Sequence, residues 1–302
     1  MKSTHRLGTL LASLLFAGTS FAALPGAPNA DAWVDLFDPK LSRWELWMGV
    51  PHESVRDLPP ATPTSKDGRT GTPLGLANDP KHVFTMTTDE GEPVLHITGE
   101  IYGGLTSLAE FENYHLRLET KWGQKIWEPR PKRPRDSGLL IHCTGPHGAF
   151  WNVWMSCLEL QVQENDIGDL FLLAGTSVRA PSAPREKVRA FNPVGELVAA
   201  GARPDSKSGM VARAENFERR GEWNSVEVYA VGDRAVFLVN GRVVNALIDA
   251  KVKRGADLLP LTRGKLQIQS EAAEVFYRRV QLRPITAFPA GLLVEAGLGK
   301  TP

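Results

Sequence analysis

The sequence has no excess of charge of either sign. Its 302 residues include 35 Lys and Arg against 34 Asp and Glu, which gives a formal net charge of +1. Proteins that bind nucleic acid usually carry a strong basic patch, so we predict no nucleic-acid partner. The one basic cluster alternates with prolines, a pattern typical of a solvated loop; it consists of Arg130, Lys132, Arg133 and Arg135.

Cysteine is also scarce, because Cys143 and Cys157 are the only two in the chain. Two cysteines without a nearby pair of further ligands make a structural zinc site unexpected. In an oxidising compartment the two could form a disulfide, and two buried free thiols are the alternative. The sequence leaves both open.

Long apolar runs are absent except at the N-terminus. Lys2, His5 and Arg6 precede an apolar run from Leu7 to Ala17, and small residues follow up to Ala22. This order is typical of a secretory signal peptide, and the run is too short to span a bilayer. We therefore predict a signal peptide at residues 1–22, no membrane span, and a secreted or periplasmic protein.

Helical periodicity is nearly absent as well, whereas strand signals recur along the chain. Residues 114–122 alternate strictly between polar and apolar side chains, and 137–143 form a short apolar run. Further strand patterns occupy 223–230, 235–239, 264–270 and 275–282. Asn240-Gly241 is the dipeptide that a type I′ turn favours, so a β-hairpin is expected there.

Two stretches rich in Pro, Gly, Ser or Thr, residues 57–78 and 179–213, resemble long loops. Neither separates two halves that could each bury a core. Many short strands with turn residues between them indicate an all-β sandwich or jelly roll. We predict one domain over residues 23–302, with a core from about residue 33 to residue 285.

The stretch SCLELQVQEND, residues 156–166, combines an apolar and a polar strand face. Leu158, Leu160 and Val162 alternate with polar side chains, and no Lys or Arg in the stretch neutralises the carboxylates. The polar positions are Glu159, Gln161 and Gln163. Such a face is either solvated or part of a sugar-binding groove with catalytic carboxylates.

Several motifs in this order resemble the 3-keto-disaccharide hydrolase domain family, from about Trp33 to Arg283. They are WVDLF at 33–37, LSRW at 41–44, DSGLLIH at 136–142, CLELQVQ at 157–163, GDLF at 168–171, GEWN at 221–224 and VNG at 239–241. The resemblance implies a concanavalin-like jelly roll of antiparallel strands with a sugar site on its concave sheet. It also implies an oligosaccharide or glycoside substrate whose glucose ring carries a ketone at C3. A separate oxidoreductase would supply that ketone, because the chain lacks a dinucleotide fingerprint.

Cleavage of such a substrate by elimination needs a base near C2, an acid near the leaving oxygen and a positive group near the C3 oxygen. We predict Glu159 or His142 as base or metal ligand, and Lys121 as the group that stabilises the enolate. The predicted substrate-binding residues are Gln161, Glu119, Trp151, Trp154 and His147. A structural role is the alternative for each of them. A divalent ion at the enolate oxygen is chemically sensible, but no spacing of carboxylates and histidines identifies its ligands.

Two other functions fit the same residues. A non-catalytic carbohydrate-binding module needs aromatic platforms but no titratable groups around one pocket, so Glu159, Lys121 and His142 pointing in different directions would favour it. A retaining β-glucanase-like glycosidase would use Glu159 as nucleophile and Glu164 as acid/base, and needs a bulge to bring both to one face. Gln161 replaces the middle acidic residue of that signature.

Overall fold

Strands make up most of the computed structural model, which describes residues 32–201 and 208–299. The predicted signal peptide at 1–22 lies outside the described residues. The sequence alternation explains the strands, because residues two apart in a strand point to the same face. In the strand from Asn224 to Val231, for example, Val226, Val228 and Ala230 are buried and the residues between them are partly exposed.

The described residues form twenty strands and one short helix. The first ten strands are β1 (Val34–Asp35), β2 (Trp44–Met48), β3 (Gly75–Leu76), β4 (Phe84–Asp89), β5 (Glu92–Ile97), β6 (Gly103–Ser107), β7 (Tyr114–Ile126), β8 (Asp136–Thr144), β9 (Ser156–Gln163) and β10 (Leu170–Leu173). The others are β11 (Thr176–Arg185), β12 (Val188–Phe191), β13 (Glu196–Gly201), β14 (Ser208–Val211), β15 (Asn224–Val231), β16 (Arg234–Val239), β17 (Arg242–Arg254), β18 (Asp257–Pro260), β19 (Lys265–Ser270) and β20 (Ala273–Pro284), followed by α1 (Leu292–Glu295).

These strands build two sheets with a core between them. The first sheet has twelve strands, in the order β12-β11-β17-β16-β15-β7-β20-β5-β4 with β1, β13 and β18 paired alongside. The second sheet has eight, in the order β14-β10-β9-β8-β19-β6-β2-β3. Their strand pairs are antiparallel. Leu118 and Val226 of the first sheet and Leu158 of the second belong to one buried cluster. The predicted all-β, jelly-roll sandwich is confirmed.

The hairpin predicted at Asn240-Gly241 is confirmed too. β16 ends at Val239 and β17 begins at Arg242, so these two residues form the whole turn. Their φ angles are 49° and 74°. A type I′ turn needs positive φ at both central positions, and Asn and Gly tolerate it best.

The long loop predicted at 179–213 is wrong. Described residues in this stretch belong to β11, β12, β13 and β14. Pro181 and Pro184 lie within β11, near the end of the first sheet, where a strand tolerates residues without a backbone N–H more readily than at its centre. Residues 57–78, by contrast, contain only the two-residue strand β3.

Candidate active site

The two faces of β9 have opposite surroundings. Leu158, Leu160 and Val162 belong to the core cluster between the sheets. Glu159 and Gln161 therefore project from the other side of the second sheet, which we call the site face: the face that points away from the core. Both side chains are nevertheless buried, at 4% and 7% exposure, so the polar face of β9 is not an ordinary solvated surface.

Strand register brings two further carboxyls to the site face. Asp136 of β8 lies opposite Gln163 of β9, and it also forms a bridge with Glu271, the residue that follows β19. Asp136 and Glu271 are only 2% and 5% exposed. Three buried carboxyls, those of Glu159, Asp136 and Glu271, therefore share one face of three neighbouring strands.

Gly138 leaves the space that two of the polar side chains occupy. Gly138 is a residue of β8 and lies opposite Gln161 of β9. The pairing of β8 with β19 places it beside Gln269 on its other side. A β-carbon at residue 138 would overlap Oε1 of Glu159 and lie 2.6 Å from Oε1 of Gln269. The absence of a side chain therefore lets Glu159 and Gln269 reach over the same point of the sheet.

Arg130 is the cation of this cluster. Its guanidinium donates to Oε1 of Glu271 over 3.0 Å and forms an ion pair with Asp136. Nε2 of Gln163 donates to Oδ2 of Asp136 over 2.6 Å. The interpretation of residues 130–135 as a solvated loop is therefore wrong for Arg130, and Arg135 is paired as well, with Glu164 at 2.9 Å.

Burial raises the pKa of all three carboxyls. The pKa of Glu159 lies well above its ordinary value, mainly because its carboxyl is desolvated and also because Asp136 is negative. Desolvation raises the pKa of Asp136 to about 7, although Arg130 opposes the shift. The pKa of Glu271 is raised well above its ordinary value for the same first reason. Groups with pKa values moved toward neutrality suit proton transfer.

A cavity of about 450 Å³ opens beside these groups. That volume lies within the range of small-molecule sites. The lining includes the three carboxyls and Arg130 together with Arg133, Pro134, Gln161, Gln163, Gln269, Leu173 and four aromatic residues, Phe150, Trp151, Trp154 and Phe171.

Four buried polar atoms of lining residues have no hydrogen-bond partner within the described part of the chain. They are Oδ1 of Asp136, Oε1 of Gln161, Oε1 of Gln269 and Nε of Arg130. Buried polar groups in folded proteins are almost always paired with protein, water or ligand. The cavity therefore offers a ready set of hydrogen-bonding positions to a polar molecule.

The two predicted aromatic residues have different environments. Trp151 is 36% exposed and lies between Phe150, at 4.5 Å between ring centroids, and the guanidinium of Arg69, at 4.2 Å from its ring. Trp154 is 1% exposed and its Nε1 donates to the carbonyl of Gly103 over 3.1 Å. Trp151 is thus available at the edge of the cavity, whereas most of Trp154 packs its loop onto the sheet.

His142 lies away from the cavity lining. A bulge in β8 and a positive φ of 51° turn its side chain out of the regular alternation. Its ring meets that of buried Tyr114 edge-on at 5.8 Å, and its Nδ1 is 3.3 Å from the carbonyl oxygen of Leu261. Burial lowers the pKa of His142 to about 4.

Lys121 and Glu119 lie on the other sheet, in β7. Glu119 accepts from Arg278 over 2.6 Å and from Arg279 over 3.0 Å. Nζ of Lys121 lies 5.6 Å from the centre of the Trp223 ring. The expectation that these two residues share a groove with Glu159 is wrong, because β7 and β9 belong to different sheets.

Glu159, Lys121 and His142 thus point in different directions, which by itself favours a binding module. The cavity lining argues against a module, because it places further titratable groups around Glu159: the side chains of Asp136, Glu271 and Arg130. Sequence reasoning missed all three. The alternation of β8 holds a usable signal, since Asp136 and Gly138 are two residues apart and must share a face.

His147 lies near another part of the site face. Its Nε2 is 3.2 Å from Oε1 of Glu45, which also accepts from Lys265 over 2.6 Å. Its ring stacks on Trp47 at 5.2 Å. It is not among the residues that line the cavity, and its role in binding remains a prediction.

The alternative pair of Glu159 and Glu164 lacks the bulge that it requires. β9 pairs with β8 without a register shift from Leu158 to Gln163. Glu164 follows in a turn and pairs with Arg135. The two cysteines, Cys143 and Cys157, are buried free thiols in this structure.

Two features are absent from the described residues, 32–201 and 208–299. Within these ranges no group of three His, Cys, Asp or Glu side chains is placed to hold a metal ion. In the same ranges no helix has the length and apolar character needed to cross a membrane.

Comparison with solved structures finds sandwiches of low sequence identity. A Parabacteroides distasonis protein assigned as a glycosyl hydrolase is 16% identical, with 84% of this chain and 94% of that chain covered and a TM-score of 0.45. The carbohydrate-binding module CBM66 from Bacillus subtilis is 10% identical, with 66% and 91% covered and a TM-score of 0.41. The β-glucanase of Bacillus licheniformis is 11% identical, with 67% and 81% covered and a TM-score of 0.35.

Comparison by sequence identifies the family. No curated protein matches the chain. A family model described as the 3-keto-alpha-glucoside-1,2-lyase-like domain matches residues 32–283, nearly the whole described chain. This match confirms the resemblance inferred from the motifs and supports a carbohydrate-active enzyme. The chain belongs to the 3-keto-alpha-glucoside-1,2-lyase-like family.

Proposed function

We propose that this protein is an exported enzyme that cleaves glycosides whose glucose ring carries a ketone at C3. The observation that carries the proposal is the cavity on the site face, where three buried carboxyls and the guanidinium of Arg130 surround polar atoms that have no hydrogen-bond partner among the described residues. A sugar ring offers hydroxyl groups that both donate and accept, so it can satisfy such a set. Trp151 adds an apolar surface at the cavity edge.

The reaction begins with the C2 proton, which the neighbouring ketone makes acidic. A carboxylate of the cavity removes this proton, and the electron pair of the C2–H bond becomes an enolate with its charge on the C3 oxygen. The pair then forms the C1=C2 double bond while the C1–O bond breaks. The departing oxygen takes a proton from a second carboxyl, and the products are an unsaturated 3-keto sugar and an alcohol.

The residues of the cavity match these requirements. Glu159 and Asp136 are carboxyls with raised pKa values, which suits both the removal and the donation of a proton. Arg130 supplies the positive charge, so we assign to it the stabilisation of the C3 oxygen. Addition of water to the unsaturated product would complete a net hydrolysis. A separate oxidoreductase would supply the 3-keto sugar.

A non-catalytic carbohydrate-binding module is the second candidate. The wide separation of Glu159, His142 and Lys121 and the exposure of Trp151 favour it. A module would bind sugars in the same cavity without breaking a bond, and its carboxyls would serve only as hydrogen-bond acceptors. Product analysis distinguishes the two functions.

The first experiment incubates the purified protein with a 3-keto-glucoside and with the matching unoxidised glucoside, each with and without a chelator. We expect cleavage of the keto substrate alone, with an unsaturated 3-keto sugar or its hydrate as product. Loss of cleavage in the presence of the chelator would show that the reaction needs a divalent ion. Binding without cleavage of either substrate would establish the module instead.

Two variants test whether the cavity is the active site. Glu159→Gln should lower turnover by about 100-fold or more, because it removes a proton-transferring group. Glu164→Gln is the matched control, since Glu164 lies just beyond the same strand but pairs with Arg135 at 2.9 Å. If both variants kept wild-type turnover, the cavity would not be the active site.

A further inference from the structure

The carboxyls of Glu159 and Asp136 have different partners. Asp136 forms an ion pair with Arg130 and accepts a hydrogen bond from Gln163 at 2.6 Å. Glu159 has no ion pair within the described residues, and the charge that acts on its pKa is the negative charge of Asp136. A cation beside a carboxyl stabilises its ionised form, whereas burial without a cation stabilises the neutral form. The surroundings therefore stabilise the ionised form of Asp136 more than that of Glu159, so that Glu159 is the carboxyl that keeps its proton more readily.

The contact between Gln269 and Glu159 gives a structural reason for a proton on Glu159. Its side chain and that of Glu159 meet above Gly138, where a β-carbon would crowd both. The Gln269 amide interacts with the Glu159 carboxyl, while Oε1 of Gln269 is buried without a donor. A proton on Glu159 would supply that donor, because a carboxylic acid and a primary amide can each donate one hydrogen bond to the other.

Asp136 is close enough to act on the same sugar ring. Asp136 and Gly138 are successive residues on the site face of β8, about 6.7 Å apart along the strand. The Glu159 carboxyl lies above Gly138. A pyranose ring between the two groups would have one carboxyl near its C1 side and the other near its C2 side. Oδ1 of Asp136 has no partner within the described chain and remains available to accept a proton.

We propose that Asp136 removes the C2 proton, that Glu159 donates a proton to the leaving oxygen, and that Gln269 positions the Glu159 carboxyl. This assignment rests on the proposed function. In the step, the C2–H electron pair forms the new double bond, the C1–O pair goes to the leaving oxygen, and one proton passes from Glu159 to that oxygen. Asp136 ends protonated and Glu159 ionised, and one proton returned between them through solvent restores the starting state.

Leaving groups of different acidity test the assignment of Glu159. A 4-nitrophenyl 3-keto-glucoside expels a stable anion, whereas a methyl 3-keto-glucoside expels an oxygen that needs a proton. We expect Glu159→Gln to lower kcat by about 100-fold or more on the methyl substrate and by less than about tenfold on the nitrophenyl one. We expect Asp136→Asn to lower kcat on both substrates equally.

Exchange at C2 provides an independent measurement. In deuterated water, NMR follows the replacement of the C2 proton before the leaving group departs. Glu159→Gln should retain this exchange, because Asp136, the proposed base, is unchanged in that variant. Asp136→Asn should lose the exchange. Loss of exchange in Glu159→Gln together with an equal kcat loss on both substrates would assign the base to Glu159 and overturn the proposal.

Two glutamines of β19 test the positioning role. Gln269→Leu should lower kcat on the methyl substrate more than on the nitrophenyl substrate. Gln267→Leu is the matched control: Gln267 lies two residues away on the same face, but it donates to Thr106 over 2.7 Å and does not line the cavity. An equal effect of Gln269→Leu on both substrates would mean that Gln269 has only a structural role.

The failure of this assignment differs from the failure of the proposed function. If wild-type protein cleaves neither 3-keto substrate, the function itself is wrong. If wild-type protein cleaves both, and the variants show the opposite pattern of leaving-group dependence, only the assignment of acid and base is wrong.

Discussion

At the scale of single residues, Gly138 determines the geometry of the cavity as much as any charged group. Its missing side chain is what lets Glu159 and Gln269 meet above β8. Any side chain at this position would compete with both for the same space. A residue without functional groups therefore controls where the proposed acid lies.

Gly138→Ala should abolish most of the activity without unfolding the protein. The added methyl would overlap the Glu159 carboxyl and displace it, so we expect turnover to fall by about 100-fold, as if the proton donor were lost. Crowding of this kind costs about 1–3 kcal/mol of stability. Steady-state kinetics and urea denaturation of the same preparation measure the two effects separately.

Gly241→Ala is the control for that experiment. Among the described residues, no atom other than those of residues 240–242 lies within 4 Å of a β-carbon at this position, but its φ of 74° is unfavourable for alanine. We expect about 1 kcal/mol of lost stability with unchanged turnover. Comparable loss of turnover in both glycine variants would mean that activity follows stability alone, contrary to the role given to Gly138.

The sequence indicates some residues of the cavity, but it does not indicate which charged residues from other segments join them. Alternation in β9 was enough to place Glu159 and Gln161 together on a polar face. It could not reveal Arg130, because an arginine between prolines in a connecting segment has the same local pattern whether its guanidinium is solvated or buried. Glu271 likewise follows a strand, and only the pairing of β19 with β8 brings it to the cavity.

At the scale of elements, the cavity belongs to three adjacent strands of one sheet: β9, β8 and β19. The polar face of β7 alternates as regularly as that of β9, yet it lies on the other sheet. Alternation shows which residues of a strand share a face, whereas the assignment of strands to sheets depends on long-range pairing. That is why the strands with clear alternation were predicted correctly, whereas the grouping of Lys121 with Glu159 was wrong.

Lys121→Ala should leave catalysis essentially unchanged. The side chain lies on the first sheet beside Trp223, remote from the carboxyls of the second. We expect kcat/KM on the 3-keto substrate to stay within about twofold of wild type, as for surface substitutions in general. Arg130→Met is the contrasting variant, because it removes the cation that pairs with Asp136 and Glu271. A large loss in Lys121→Ala would contradict the location of the active site.

At the scale of the whole molecule, the buried carboxyls connect activity to stability. Burial raises the pKa of Asp169 to about 6 and that of Asp136 to about 7, and it also raises the pKa values of Glu159 and Glu271. When the pH rises above about 4, the unfolded chain loses these protons before the folded protein does. The free energy of unfolding should therefore decrease as the pH rises toward neutrality.

His142 has the opposite effect. Its pKa is lowered from 6.5 to about 4 in the folded protein, so the unfolded chain binds a proton first when the pH falls through that range. This group alone destabilises the fold toward acid. His142 opposes the four carboxyls named above and Glu218, whose pKa burial also raises, so we expect the carboxyls to dominate the pH dependence of stability between about pH 5 and neutrality.

Glu159→Gln should be more stable than wild type at about pH 8 and similar to it at about pH 3, where the wild-type carboxyl is protonated in both states. The variant removes the cost of a buried acidic group, and we expect a gain of at least about 1 kcal/mol at the higher pH. Urea denaturation of both proteins at the two pH values measures it. An equal difference at both pH values would contradict a raised pKa for Glu159.

The order of strands in the second sheet has a consequence for how the protein folds. β8 and β9 are neighbours along the chain, but the strand that completes the cavity, β19, begins only at Lys265. Pairing partners this far apart in sequence must close a long loop before they gain any contact, which slows folding. No nascent chain that ends before Glu271 can contain the assembled carboxyl cluster. The carboxyl cluster is therefore one of the last parts of the fold that the growing chain can complete.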